Sequence, residues 1–473
     1  MNFYLFLSFI IGIILGWEKI FSFPLVLLLS TTSIMSIYLF YKRNNQLLFG
    51  ILLIVFFILL GVIWIMPHSL HKPDEFLNEE NRFLIKVTSL AEDNYLKRTF
   101  YAQVKQIDNW PASLKVKVND FSKEIVEYRS VLLVRGKLTR YKFKRSYFYT
   151  LWLKKGSYIK KFEPAHLDRF LRKLNYKIVG YLKDKLSSQA YRFLSSVFLG
   201  RRELIDKDTK IIFVEAGCAH LLAISGLHVG LVSLVLFFAL KIFRIRFRQR
   251  LLLSIVFLFL YTLLVGARPS TVRASVMYSI FGIGYILRRR VDLLNSLGLS
   301  GLVCLFLNPI WVFDIGFQLS FTSVLGIILG FRFFHFKLPY ENLFIIYMKN
   351  IFLCTVFVTV AIIPLVSFYF GRIYLLGFIS NMILIPFFTF ILIVSFIFLT
   401  FYISPFIAVP LGEVLSFSIF LFIEVASFLS SLKLSFIPFW MPLWLVFIYY
   451  LILFFLVFFY IFLQQKRKAF LKG

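Results

Sequence analysis

Acidic residues and cysteines are both scarce in this sequence. Asp and Glu total 23 against 53 Lys and Arg, which gives a formal net charge of +30. This excess implies anionic partners, either lipid headgroups or nucleic acid, and composition does not separate the two. The cysteines stand inside or beside apolar segments without paired spacing, which argues against a disulfide framework and a thiolate metal site. They are Cys218, Cys304 and Cys354.

Motifs for nucleotide, ester and metal chemistry are missing as well. No Gly-x-x-x-x-Gly-Lys-Ser/Thr stretch occurs, which excludes ATP hydrolysis by that route. Ser225 does not stand in a Gly-x-Ser-x-Gly turn. An intramembrane hydrolase that uses Ser225 and His228 is therefore the least favoured of the functions considered for this chain. Glu215 is poorly spaced from His220 for a zinc site. We therefore expect no catalytic residue, no metal and no cofactor.

Apolar residues are abundant. Hydrophobic residues make up 60% of the chain, aromatic residues 19%, and Phe alone occurs 61 times. Soluble domains are about half apolar, and long apolar runs indicate membrane spans. The apolar runs predict spans at 3–17, 20–41, 47–66, 221–240, 251–267, 271–287, 292–307, 315–331, 344–368, 374–402, 406–432 and 440–463.

One long stretch between these runs has a different pattern. Charges recur every few residues, and alternation or β-branched enrichment replaces continuous apolarity, as is typical of strands. Gly136 lies within one such pattern and predicts a bent strand. The strand-like segments are 83–89, 100–106, 114–118 and 131–138. On the pattern alone, this stretch is a small β domain.

The chain therefore divides into membrane and non-membrane parts. Apolar residues beside many Lys and Arg in 166–212 favour amphipathic helices at the membrane surface, with a connector packed against the β domain as the alternative. The predicted parts are transmembrane helices at 1–66, a β domain at 67–165, amphipathic helices at 166–212, a transmembrane domain at 213–463 and a basic tail at 464–473.

Basic residues gather on one side of the predicted spans. Alternate threading places the loops 241–250, 288–290 and 332–337 on the same side as the tail 464–473. Because cytoplasmic loops carry an excess of Lys and Arg, we expect both termini to be cytoplasmic and the β domain to be outside. The apolar N-terminus lacks a basic n-region, which predicts an uncleaved first helix.

Polar side chains occur at three places in the apolar second half. Polar groups at membrane depth face protein or a wet cavity, so they either fix helix packing or line a hydrated path. Asp314 and Gln318 are spaced i and i+4 and therefore lie on one helix face. We expect Asp314 to form an ion pair with Arg268 or Arg273. These residues are His220, Ser225, Gly226, His228, Arg268, Arg273, Asp314 and Gln318.

Basic and aromatic residues alternate without any acid between 137 and 161. A basic groove with aromatic faces holds single-stranded nucleic acid, each stacked base contributing ~1–3 kcal/mol. The alternative is a domain edge lying on anionic lipid, with Trp and Tyr at headgroup level. The residues proposed for DNA are Arg140, Tyr141, Lys142, Lys144, Arg145, Tyr147, Tyr149, Trp152, Lys154 and Lys155.

Three ordered motifs resemble those of the ComEC family, the membrane channels of natural DNA uptake. They are AGCAHLLAISGLHVGL at 216–231, GARPSTVRASVM at 266–277 and NPIWVFDIGFQLSF at 308–321, with Gly200-Arg-Arg upstream. The resemblance implies a polytopic α-helical membrane protein with an inserted small extracellular β-barrel of OB type. It also implies import of single-stranded DNA through the bacterial plasma membrane during natural transformation.

The sequence departs from many ComEC relatives in two ways. It has no cysteines in the β domain, where some relatives carry a disulfide, and no His-x-His-x-Asp-His run of the metallo-β-lactamase-like nuclease domain. Strand degradation would then belong to a free-standing nuclease, with a separate receptor and a cytoplasmic DNA-pulling ATPase as further partners. A transporter or flippase of an anionic lipid or polymer is the main alternative.

Overall fold

The computed structural model describes residues 2–18, 46–69, 73–89, 92–93, 98–108, 110–122, 126–143, 146–163, 165–333, 342–374, 376–401, 404–432, 436–453 and 455–456. The fold is a polytopic helical membrane protein with an inserted β-barrel of OB type, as the sequence predicts. The predicted span 20–41 and the basic tail 464–473 lie outside the described residues.

The N-terminal helices pack closely because glycines face each other. α1 (Asn2–Trp17) and α2 (Gln46–Ser69) are apolar along their length. A side chain at Gly12 would meet the backbone of Ile58, and one at Gly61 would meet the backbone of Phe9. Small residues let membrane helices approach to backbone contact. Phe6 of α1 also packs against Gly301, in the second half of the chain.

The β domain closes into a five-stranded barrel. Its strands pair in the order β1–β3–β4–β6–β5, and β5 pairs back onto β1. Every pair is antiparallel except β4 with β6, which gives the strand order of an OB fold. Two short strands extend it, β2 on β3 and β7 on β5. The bounds are β1 Glu80–Val87, β2 Glu92–Asp93, β3 Arg98–Ile107, β4 Trp110–Asp120, β5 Val131–Phe143, β6 Ser146–Leu153 and β7 Tyr158–Phe162.

The barrel core follows from the period-two pattern. Phe83, Phe100, Val118, Val134 and Leu151 are each at most 1% exposed and pack in one cluster. Alternate residues of a strand point to opposite faces, so the residues between them lie outside. Gly136 lies where a Cβ would stand 2.7 Å from the carbonyl oxygen of Trp152. Close approach of β5 and β6 at that point requires glycine.

Three shorter helices connect the barrel to the bundle. α3 is His166–Lys185, α4 is Ser188–Leu199 and α5 is Lys207–Glu215. Asp168 of α3 pairs with Lys86 and Arg129 of the barrel, as the connector alternative predicts. Leu167 and Phe170 of the same helix are 50% and 62% exposed, as a surface-lying helix requires. α3 therefore has features of both alternatives.

The second half of the chain is a bundle of apolar helices. α7, α10, α11, α12 and α13 are long and apolar enough to cross a membrane, and the chain is a multi-pass membrane protein. α6 starts at Gly226 rather than at 221 because residues 219–222 form a short 3-10 turn. Pro364, Pro386 and Pro410 lie within helices that continue through them. The bounds are α6 Gly226–Ile242, α7 Phe247–Leu264, α8 Pro269–Ile286, α9 Leu293–Leu307, α10 Ile315–Phe333, α11 Leu343–Phe370, α12 Gly377–Thr400, α13 Pro405–Ser431 and α14 Leu443–Leu453.

Polar contacts seat the barrel on this bundle. Lys115 of β4 pairs with Asp314 at 2.5 Å, and Asn308 donates to the hydroxyl of Ser113 at 2.6 Å. In the loop between β4 and β5, Arg129 donates to the last carbonyls of α7, at Leu263 and Leu264. Cationic side chains at a helix C-terminus are favoured there. The barrel thus contacts the bundle at two separate points.

Candidate functional site

The first motif places a serine and a histidine in one helix cap. Ser225 is the N-cap of α6, with its Oγ 2.9 Å from Nδ1 of His228. The backbone N–H of Ser225 also donates to that Nδ1, at 3.2 Å. Since Nδ1 accepts a proton donor, the neutral ring carries its hydrogen on Nε2. Nε2 is buried without a hydrogen-bond partner among the described residues.

This arrangement differs from a hydrolytic triad. In such a triad one ring nitrogen takes the proton of serine while a carboxylate holds the other nitrogen. In the described residues no carboxylate contacts Nε2 of His228, and the ring packs edge-on against Phe388 with centroids 5.0 Å apart. The Ser225 and His228 pair therefore has the geometry of a capping box. The described part of the chain holds no group of three or more His, Cys, Asp and Glu placed for a metal ion.

The second motif begins α8 against the first. Arg268 is the N-cap residue and Pro269 the first helical residue, where proline fits well. Arg268 donates from Nη2 to the carbonyl of Gly200 at 2.9 Å, while its Nη1 is buried without a partner in the described residues. Ser270 donates to the carbonyl of Ile224 at 2.9 Å. The starts of α6 and α8 are therefore held side by side.

Arg273 lies one turn into α8 and is only 5% exposed. Its guanidinium stands 5.7 Å from the ring centre of Phe321, and a Cβ at Gly226 would lie 3.3 Å from its Nη2. Its Nε is buried without a partner among the described residues. A buried donor that lacks an acceptor costs about 1–3 kcal/mol. Gly226 therefore leaves the space in which Arg273 reaches α6.

The third motif contacts the barrel instead of the arginines. Asp314 caps α10 by accepting from the N–H of Phe317 at 3.1 Å, and its ion pair is with Lys115. The predicted pairing of Asp314 with Arg268 or Arg273 is wrong, because Lys115 approaches from the barrel, which spacing along the helices does not reveal. Gln318 donates to Val312 and accepts from Tyr369 at 2.8 Å.

The motifs thus form one polar cluster, defined as Arg202, His220, Ser225, His228, Arg268, Arg273 and Asp314. Arg202 interacts electrostatically with Arg268 and Asp314, and His228 with His220 and Arg202. The side chains of Arg202 and His220 are exposed, whereas those of His228 and Arg273 are buried. The cluster therefore extends from an accessible surface into the bundle.

Sequence reasoning quoted Gly200-Arg-Arg but assigned no site role to Arg201 or Arg202. Arg202 belongs to the polar cluster, whereas Arg201 connects the barrel to the helices that follow it. Arg201 is 1% exposed, donates from Nε and Nη2 to Asn175, and stacks 3.7 Å from the ring centre of Tyr128. The Gly200-Arg-Arg sequence was the available signal, since it stands just upstream of the first motif.

A second surface lies on the outside of the barrel. Register places Tyr101 opposite Lys117, Lys117 beside Thr150 and Lys137 opposite Trp152. Trp152 stacks on Phe121 with an interplanar angle of 12° and donates to Thr139 at 2.8 Å. Neighbouring residues on adjacent strands share one face. We call this surface the outer face; it consists of Tyr101, Lys117, Phe121, Lys137, Thr139, Tyr141, Thr150 and Trp152.

The residues predicted to bind DNA divide among several places. Tyr141 and Trp152 lie on the outer face, whereas Arg140 and Tyr149 both bond to Asp74, at 2.5 and 2.9 Å. Lys154 pairs with Glu80, and Lys155 lies in the exposed turn after β6. Lys144 and Arg145 lie outside the described residues, as do the side chains of Lys142 and Tyr147.

Comparison with known proteins shows which family model and which relatives this chain matches. The family model described as "Competence protein" matches residues 197–462, more than half of the chain. The chain is 28% identical over 229 residues to ComE operon protein 3 of Bacillus subtilis and 28% identical over 222 residues to Recombination protein 2 of Haemophilus influenzae. It also matches an uncharacterised protein of Aquifex aeolicus, 32% identical over 168 residues.

These alignments are partial. They cover 48%, 44% and 34% of this chain, and 28%, 28% and 40% of the respective relatives. No solved structure matches this chain. The family model nevertheless spans α6 to α14, including the polar cluster with its three motifs. The chain therefore belongs to the ComEC family of competence proteins.

Proposed function

We propose that this protein imports single-stranded DNA across the bacterial plasma membrane during natural transformation. The barrel captures the strand on its outer face, and the strand then passes the polar cluster into the bundle. The observation that carries this proposal is the Lys115–Asp314 ion pair. β4 supplies both Lys117 of the outer face and Lys115 at the bundle, so the surface that captures DNA leads to the third motif.

The outer face has the chemistry that single strands need. Tyr101, Tyr141 and Trp152 are 53%, 63% and 38% exposed, which leaves aromatic surface available to bases. Lys117 and Lys137 stand between them and can follow the phosphates. Stacking tolerates any base and cations do not discriminate between sequences. Such binding is sequence-independent, as uptake of arbitrary DNA requires.

The polar cluster supplies the path into the membrane. Arginines at this depth need an anion, an acid or water to offset their burial. The proposed orientation has the barrel outside and the C-terminus in the cytoplasm, so Arg202 and His220 meet the strand before Arg273 does. The partners are a separate receptor, a cytoplasmic ATPase that pulls the strand and a free-standing nuclease.

The binding step is tested with Trp152→Ala and Lys117→Gln in the full chain. Trp152→Ala removes one stacking platform, so the affinity for an oligothymidylate should fall about fivefold to 150-fold, the equivalent of ~1–3 kcal/mol. Lys117→Gln should also flatten the dependence of log K on log salt by about 0.7. Trp444→Ala, which changes an exposed tryptophan of α14 outside the barrel domain, is the matched control.

Uptake of marked DNA by cells separates this proposal from its alternatives. Loss of uptake with Trp152→Ala, together with unchanged uptake for Trp444→Ala, is the expected result. A flippase would transport lipid normally and show no such pattern. A hydrolase would instead lose its turnover with Ser225→Ala while binding DNA as before. Uptake that is unaffected by both outer-face substitutions contradicts the proposal.

A further inference from the structure

We infer that buried N–H groups of His228, Arg268 and Arg273 form a phosphate-binding site at the starts of α6 and α8. The ligand is a phosphodiester of single-stranded DNA as the strand leaves the barrel. This inference rests on the proposed function and names the point at which the bundle holds the strand.

Within the polar cluster, the buried atoms that lack a hydrogen-bond partner among the described residues are all N–H donors. They are Nε2 of His228, Nη1 of Arg268 and Nε of Arg273. A guanidinium has no acceptor capacity, and Nδ1 of His228 already accepts from Ser225. The missing partner is therefore an acceptor. Phosphate oxygens are acceptors with negative charge, which gives stronger hydrogen bonds than a neutral carbonyl does.

Helix ends add to this preference. α6 and α8 contain 17 and 18 residues, and both direct their N-termini to the same place through the bond from Ser270 to Ile224. The N-terminal end of a helix carries about half a positive charge and favours anions. Gly226 adds a second effect, since the lack of a Cβ brings its backbone close to Arg273.

The nearby acids do not satisfy these donors. Asp314 pairs with Lys115, and Glu203 pairs with Arg201 at 3.4 Å. Both acids act on Arg268 only at longer range. Arg202 is exposed beside the cluster and provides a cationic approach from outside. Among the described residues, these acids therefore leave the N–H groups of His228, Arg268 and Arg273 without a negatively charged partner.

The surroundings favour a DNA phosphate over a lipid headgroup. His228 and Arg273 are 1% and 5% exposed and are enclosed by protein, including Phe388 and Phe321. A headgroup would carry two acyl chains into that space. A single strand is a thin, flexible polyanion, and the barrel above Asp314 can deliver it.

The test uses the full chain in phosphatidylcholine nanodiscs with fluorescent oligothymidylate. Arg268→Gln and Arg273→Gln should each weaken binding about tenfold or more and reduce the slope of log K against log salt by about 0.7. An oligothymidylate with neutral methylphosphonate links should bind the parent and both variants equally. Arg248→Gln is the matched control, since Arg248 lies in the first turn of α7. That turn is about 25 Å along the helix from the end of α7 that precedes α8.

A change in slope separates phosphate contact from a loss of fold. Arg273→Lys keeps the charge but removes Nε, so it should restore the slope while leaving affinity below that of the parent. Parent-like affinity and slope in Arg268→Gln and Arg273→Gln, with binding weakened by Trp152→Ala, would overturn the inference and leave the proposed function intact. A parent that does not bind the oligonucleotide would overturn both.

The lipid arm replaces phosphatidylcholine with phosphatidylglycerol. If the site takes DNA phosphate, the difference between parent and Arg273→Gln should be similar in both lipids. If a headgroup fills the site, phosphatidylglycerol should raise the thermal midpoint of the parent above that of Arg273→Gln. In that case the substitutions should not change oligonucleotide affinity in phosphatidylcholine. That pattern would overturn the inference.

Discussion

Arg201 shows how one residue joins two parts of the molecule. Its guanidinium is bound on one edge by Asn175 of α3 and covered on its face by Tyr128 of the barrel. A planar fork can do both at once, which a lysine ammonium cannot. The adjacent Arg202 is exposed and interacts with Arg268. Consecutive arginines therefore have separate roles, one in the joint and one in the polar cluster.

Replacement of Arg201 should affect stability more than binding. Arg201→Lys and Arg201→Met should each lower the free energy of unfolding by about 1.5–3 kcal/mol, because hydrogen bonds to a buried charged group are lost. Thermal unfolding of the purified protein measures this. Arg192→Gln removes an exposed pair with Asp206 and should cost less than about 1 kcal/mol. Equal midpoints for Arg201→Met and the parent would contradict the assigned role.

At the scale of elements, the contact between the barrel and α3 should depend on pH. Glu127 of the β4–β5 loop bonds to Arg172 of α3 at 2.5 Å and to Lys161 of β7 at 3.4 Å. Burial acts to raise the pKa of Glu127, but Arg172 and Lys161 outweigh it, so the pKa lies below its ordinary value. Its contribution to stability is therefore present above the pKa of the unfolded chain, about 4.3.

This contribution should disappear as the pH falls through the lowered pKa of folded Glu127. Thermal midpoints measured from pH 7 to strongly acidic pH should decline less steeply in Glu127→Gln than in the parent. The two curves should converge at the acidic end, where Glu127 is protonated. Parallel curves over the whole range would show that Glu127 does not contribute through its charge.

The sequence predicted most helices within a few residues, because continuous apolar runs leave a membrane segment few alternatives. It predicted the β domain as well. The closure of β5 onto β1 and the path of Lys115 to Asp314 were not predictable, because both join residues far apart in the chain. The start of α6 at Gly226 was missed because the apolar run begins earlier than the cap at Ser225.

At the scale of the whole molecule, the Lys115–Asp314 pair should matter more for transport than for folding. The Lys115 side chain is 71% exposed, so the pair should stabilise the fold by less than about 1 kcal/mol. Asp314→Asn keeps an acceptor for the N–H of Phe317 while it removes the charge.

Lys115→Ala, Asp314→Asn and the double variant should therefore all fold and all take up less marked DNA. The double variant should be no worse than either single one, because both substitutions break the same contact. Uptake rates in cells with matched protein levels measure this. Additive losses would show that the two side chains act separately.

The shared direction of α6 and α8 has a consequence for energetics across a charged membrane. Moving a negative charge inward against an inside-negative voltage of 100 mV costs about 2.3 kcal/mol per charge. A strand whose phosphates lose counterions at the surface faces this cost repeatedly. In the proposed orientation, the positive helix ends and arginines would partly neutralise the phosphates as they enter, which lowers the barrier to entry but leaves the net electrical work of crossing unchanged.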